Sequence, residues 1–67
     1  MEKSAITADA LELIHMNQTA IRAALEEVST WIRQRGSTDV HDNVMIALQV
    51  LDANAGAIGS AIERLRG

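Results

Sequence analysis

Two histidines, His15 and His41, are the side chains in this sequence whose type best suits metal ligation or proton relay, and there is no cysteine to join them. A metal centre needs three or four donors converging on one point. Asp42, adjacent to His41, is the only obvious further ligand. If the chain doubles back near Ser37, position 41 comes level with about position 33. His15 then lies a further 18 residues away, about 27 Å at the helical rise of 1.5 Å per residue. One hairpin therefore cannot bring both rings to one ion, and each histidine is expected at the surface or partly buried. No nucleophile, base and orienting group are spaced as a set, and no glycine-rich loop could cradle a phosphate. The expectation is a protein with no catalytic residues, no metal and no cofactor.

The elements that hold these residues follow from composition. The chain has 67 residues, with no proline, cysteine, phenylalanine or tyrosine and a single tryptophan, Trp31. Apolar residues make up 48% of it, too many for a disordered chain. Ala, Leu, Ile, Glu, Arg and Gln dominate, and most of these favour helix. A β-domain of this size would need alternating aromatic and β-branched residues, which are missing. The net charge is −3 and the six basic residues are scattered, which argues against nucleic acid as the main partner. The N-terminal stretch has acidic residues at both ends and no long apolar run, unlike a signal peptide. The least charged stretch, 43–62, carries Asp52 at its middle, and a central Asp costs about 2.5–3.5 kcal/mol on membrane insertion. A cytoplasmic location and no membrane span are expected. Cysteine-free small domains also fit the cytoplasm better than secretion.

One all-α domain, an antiparallel two-helix hairpin, is predicted. Helix 1 covers about 7–35, a turn about 36–38 and helix 2 about 39–66. Thr7 can cap helix 1, with Ile6 and Leu11 spaced as a hydrophobic staple. Arg33 and Arg35 occupy its last turn, and Gly36 follows where a left-handed residue is wanted. Ser37, Thr38 or Asp39 can cap helix 2, and Arg64 and Arg66 complete it.

The apolar spacing assigns faces. Val44, Leu48, Leu51, Ala55, Ile58, Ile62 and Leu65 alternate in steps of four and three, a coiled-coil seam. On helix 1 the matching set is Leu11, Ile14, Gln18, Ile21, Leu25, Val28 and Ile32, and these two seams are expected to close the hairpin. Gln18 and Asn54 come roughly level, and these two with Asn17 either form a polar layer or reach water. Helix 2 has apolar surface left over. Ile46, Val50, Ala53 and Ala57 form a second stripe nearly opposite the seam, whereas Glu12, Thr19, Arg22, Glu26, Ser29 and Arg33 should cover the outside of helix 1. A helix apolar on two sides is normally buried on two sides. A second copy would cover this stripe and make a four-helix bundle. Gly56 and Gly59 each cost helix stability of roughly 1 kcal/mol relative to Ala, which a close backbone approach could offset. Trp31, near the turn, either caps the core or anchors a partner.

The stretch from His15 to Arg22 resembles the phosphoacceptor helix of sensor kinase dimerisation domains, which are also helical-hairpin dimers. Met16 departs from that pattern, which has an acidic residue after the histidine, and 67 residues leave no room for an ATP-binding domain. The architecture is also similar to that of plasmid copy-number hairpin proteins, which bind RNA as four-helix dimers through a basic and aromatic face that cannot be assembled here. The Trp-x-Gly turn of secretion-associated hairpins is absent, since Ile32 and Arg33 follow Trp31. The function expected is therefore a small homodimeric interaction module. The alternatives are an RNA-binding hairpin dimer and a helical partner or chaperone of another protein. The interaction residues expected are Ile46, Val50, Ala53, Ala57 and Trp31.

Overall fold

No proline interrupts the chain, and the computed structural model, which describes residues 2–67, consists of two long helices and a short turn. α1 spans Glu2–Gln34, 33 residues, and α2 spans Thr38–Arg66, 29 residues. They pack antiparallel as the expected all-α hairpin, with no strand among the described residues. The molecule is a rod with extents of 52 × 15 × 11 Å.

α1 starts five residues before the position expected from its capping signal. The helix runs straight through Thr7. Ala5 and Ala8 favour helix and no glycine or proline precedes them, so nothing stops the backbone from continuing its hydrogen bonding. A threonine caps only where that bonding ends. The Ile6–Leu11 staple is accordingly not a capping device, and Ile6 is exposed.

The turn matches its signals closely. Gly36 adopts φ +95°, the left-handed conformation that L side chains resist. Its N–H donates to the Arg33 carbonyl at 3.0 Å, and the Ser37 N–H donates to the Ile32 carbonyl at 3.2 Å. These nested bonds satisfy the last carbonyls of α1 in the Schellman arrangement. Ser37 immediately precedes α2, but its side chain makes no capping bond. Asp39 lies in the first turn of α2, and Arg64 and Arg66 lie in the last, each favourable to the helix dipole. The Gly67 N–H closes the end on the Glu63 carbonyl at 2.9 Å.

α2 faces α1 with the residues its spacing predicts. Leu48 and Ile62 are buried, and Val44, Leu51, Ala55 and Ile58 are half-buried. α1 does not. Its predicted seam is largely outside: Ile14, Ile21, Leu25 and Val28 are 42–55% exposed. The residues turned toward α2 are instead Ala8, Leu11, His15, Arg22 and Ser29, and Ser29 is buried at 1% exposure. Arg22 and Ser29, assigned to the outer face from sequence, thus belong to the seam. There both reach polar partners on α2, Arg22 to Asp52 and Ser29 to His41. Hydrophobic spacing alone does not anticipate such bonds.

By length and composition α2 could cross a membrane, with a mean hydropathy of 1.3 over its most apolar window. A soluble core helix passes the same criterion, and Asp52 stands near the middle of α2 in an ion pair with Arg22.

Candidate interaction surface

At 3.6 residues per turn, each step of one residue rotates about 100° around a helix. Ile14, Ile21 and Val28 each precede a seam residue of α1, namely His15, Arg22 and Ser29. Ala47, Val50, Asn54, Ala57 and Ala61 each precede a seam residue of α2, namely Leu48, Leu51, Ala55, Ile58 and Ile62. Because the helices are antiparallel, the same backward offset in both leads to the same side of the hairpin. That side is therefore apolar along most of its length. Leu25 and Ile32 border it on α1, and Leu65 lies near its end on α2.

The opposite side is polar and holds the cross-helix bonds. The Arg22 guanidinium donates from Nε to Asp52 Oδ1 at 2.8 Å and from a terminal nitrogen to Oδ2 at 3.0 Å, a two-pronged pair. It also reaches Glu26 one turn along, at 3.2 Å. Near the open end Arg66 donates to Asp9 at 2.8 Å and to Glu12. Hydrogen bonding to Asp52 raises the already high pKa of Arg22, and the same bond holds the Asp52 carboxyl below its ordinary value. Hydrogen bonds to Asp9 and then Glu12 raise Arg66 in the same way. The spacing of Arg22 and Glu26 is legible in sequence; the cross-helix pairs were missed, although Arg22 and Asp52 are opposite in charge and level in a hairpin turning at Gly36.

His41 Nδ1 lies 3.0 Å from the Ser29 hydroxyl and 3.2 Å from the Ser29 carbonyl. It can accept from the hydroxyl or donate to the carbonyl, according to tautomer. Ser29 is 14 residues beyond His15, about 21 Å along α1. The two histidines therefore remain on separate levels. The Nδ1 atom of His15 is buried with no hydrogen-bond partner. Among the described residues no three His, Asp or Glu side chains gather as metal ligands.

The residues expected to mediate interaction fall as follows. Ile46 is 61% and Val50 56% exposed, and Ala53 and Ala57 are also exposed. Val50 and Ala57 belong to the apolar side, while Ile46 and Ala53 point farther round, away from α1. Trp31 is 55% exposed rather than capping the core, with the Arg35 guanidinium 4.4 Å above its ring. It stands at the rim of an open groove near the turn, lined also by Thr30, Gln34, His41 and Met45. A side chain built at Gly56 or Gly59 would meet nothing within 4 Å, so neither glycine serves a close approach inside the hairpin. Gln18 and Asn54 are both exposed; Asn54 lies on the apolar side, whereas Gln18 lines a groove between the helices with His15, Arg22, Leu51, Asp52 and Ala55. No family model, curated protein or solved structure matches this chain.

Proposed function

We propose that this chain is a non-catalytic protein-interaction module that works as a homodimer, two hairpins stacking their apolar sides into a four-helix bundle. The observation that carries this reading is the total surface the hairpin leaves open together with the large apolar side chains on it, Ile14, Ile21, Leu25 and Val28, which are 42–55% exposed. The accessible surface is 5134 Å² for 7.2 kDa, whereas a folded monomer of that mass has about 4,100 Å². The excess of roughly 1,000 Å² exceeds the 800 Å² or so that each partner contributes to a standard stable interface. Exposed ion pairs contribute about 0–1 kcal/mol each, too little to hold the hairpin closed by themselves. A second copy is favoured as the occupant because the surface is self-complementary. α1 contributes mainly large side chains to it, Ile14, Ile21 and Leu25, and α2 contributes mainly small ones, Ala47, Ala57 and Ala61, with Val50 among them. Stacking with the turns at the same end sets large against small.

The experiment is sedimentation equilibrium of the parent and of the double variant Ile21→Lys, Leu25→Lys at tens of micromolar. The parent should be a dimer and the variant a monomer. A monomeric parent would overturn the homodimer and leave the same surface to a different protein.

A further inference from the structure

We propose that the outer faces of the two helices bind each other across copies: the back of α1 in one copy docks on the back of α2 in the next, side by side with the turns at the same end. This contact uses neither the stacked side nor the bonds of the polar side. It is therefore a second interface, which stands or falls separately from the homodimer.

The three most exposed large apolar side chains among the described residues are Ile6, Leu13 and Ile46, at 64%, 63% and 61%. None belongs to the apolar side. Two residues turn about 200° around a helix, so a residue two positions from the seam points away from the neighbouring helix. On α1 this places Ile6, Leu13, Ala20, Ala24 and Trp31 on the back, two positions from Ala8, Leu11, Arg22 or Ser29, and all are exposed. On α2 it places Ile46, Ala53 and Ser60 there, each midway between two seam residues and each exposed. Both helices thus keep an apolar stripe that stacking through the neighbouring side leaves open.

Size and charge identify the occupant as another copy. Within the hairpin the Arg22–Asp52 bond sets which residues of α1 and α2 are level. A copy moved sideways with no axial shift brings its α1 against α2 at those same levels. Leu13 then faces Ser60, Ala20 faces Ala53, and Ile46 lies over Glu27 between Ala24 and Trp31. The small pair at the centre lets the helices approach closely. Arg35, stacked on Trp31 at the turn end, comes level with Asp39 in the first turn of α2. Asp9, which holds Arg66 within its own hairpin, comes level with Arg64 in the last turn. Turning one copy end over end would instead set Arg35 near Arg64 and Asp9 near Asp39. Opposite charges select the first arrangement and like charges oppose the second. A contact between two different faces leaves one of each free, so it can continue from copy to copy. It covers one helix face per copy, against two for the stacked side, and so forms at higher concentration.

The test exploits the absence of native cysteine. Leu13→Cys and Ser60→Cys, both at exposed positions, are mixed in equal amounts and oxidised at hundreds of micromolar. The mixed disulfide should form well above the statistical half of random pairing. Random pairing, or Leu13→Cys joining mainly to itself, would overturn the contact. The same oxidation with Ile21→Lys and Leu25→Lys added to both chains separates the two interfaces. The mixed product should persist there, although the stacked dimer is lost. Its disappearance would show that the stack brings these positions together, and would overturn the second interface. Sedimentation gives an independent reading. The parent should show species larger than a dimer at hundreds of micromolar, and Leu13→Lys should not. A parent that never exceeds a dimer in that range would refute the side-by-side contact and leave the homodimer intact.

Discussion

α1 and α2 have similar apolar spacing and opposite fates. In α2 the steps of four and three from Val44 to Ile62 face the neighbouring helix, and Leu48 is 1% exposed there. In α1 the corresponding steps from Ile14 to Val28 face outward, and the positions beside them carry His15, Arg22 and Ser29 to the seam. A hydrophobic stripe identifies the face of a helix that will be buried. It does not identify the neighbour that buries it. The intrachain seam of α1 is made of small and polar residues, which leaves its large apolar residues for contacts beyond the hairpin.

Truncating the same residue type on the two helices separates these roles most strongly. Leu48→Ala should cost about 2–5 kcal/mol, the range for a fully buried leucine, and should lower the melting temperature at every protein concentration. Leu25→Ala, at a position 42% exposed in the hairpin, should act mainly through association. Its melting temperature should fall most where the parent is dimeric and approach that of the parent on dilution. Identical concentration dependence for both variants would break the distinction between the two helices.

A smaller effect tests the polar seam of α1. Ser29→Ala removes the hydroxyl beside His41 but keeps the carbonyl that Nδ1 also reaches. The loss should be about 0.5–1.5 kcal/mol in denaturant unfolding, that of one hydrogen bond. A variant as stable as the parent would show that Ser29 is in the seam for its small size alone.

The smallest expected effect is electrostatic. The Asp52 carboxyl is held below its ordinary value by the hydrogen bonds from Arg22. A depressed folded pKa contributes stability that is present above the unfolded carboxylate value, near 3.9, and is lost as pH falls through the folded value. Arg22 stays charged throughout. Acidification from pH 6 to pH 2 should therefore lower the melting temperature of the parent slightly more than that of Asp52→Asn. Since both partners are substantially exposed, the difference should shrink in high salt. Equal acid responses in low salt would show that the pair adds nothing.

Much of the hairpin was legible in the residues. Gly36 marked the left-handed turn because only glycine takes that conformation freely, and the arginines marked both helix ends. The exposure of Ile46, Val50, Ala53 and Ala57 was legible because the seam of α2 is continuous and these residues lie off it. The rotation of α1 was not legible. The face that meets α2 carries Arg22 to Asp52, Asp9 and Glu12 to Arg66, and Ser29 to His41, contacts between residues 12 to 57 positions apart that local spacing does not reveal. The apolar side followed the same pattern. Its α1 residues were visible, but as the closing seam of the hairpin, whereas Val50 and Ala57 were expected as open surface. Trp31 was likewise weighed as a core cap, and its exposure was decided by the same rotation.

The sequence by itself determined that the chain is helical, that it turns at Gly36 and which face of α2 meets α1. Propensity, left-handed glycine and apolar period are local properties, readable within a few residues of one another. Only the tertiary structure decided which face of α1 closes the hairpin. Burial of an apolar stripe is non-directional and can be met by any neighbour, whereas hydrogen bonds and ion pairs need specific partners at short range and correct angle. The directional contacts mark the face of α1 that meets α2, and the apolar stripe beside it forms the open side of the molecule.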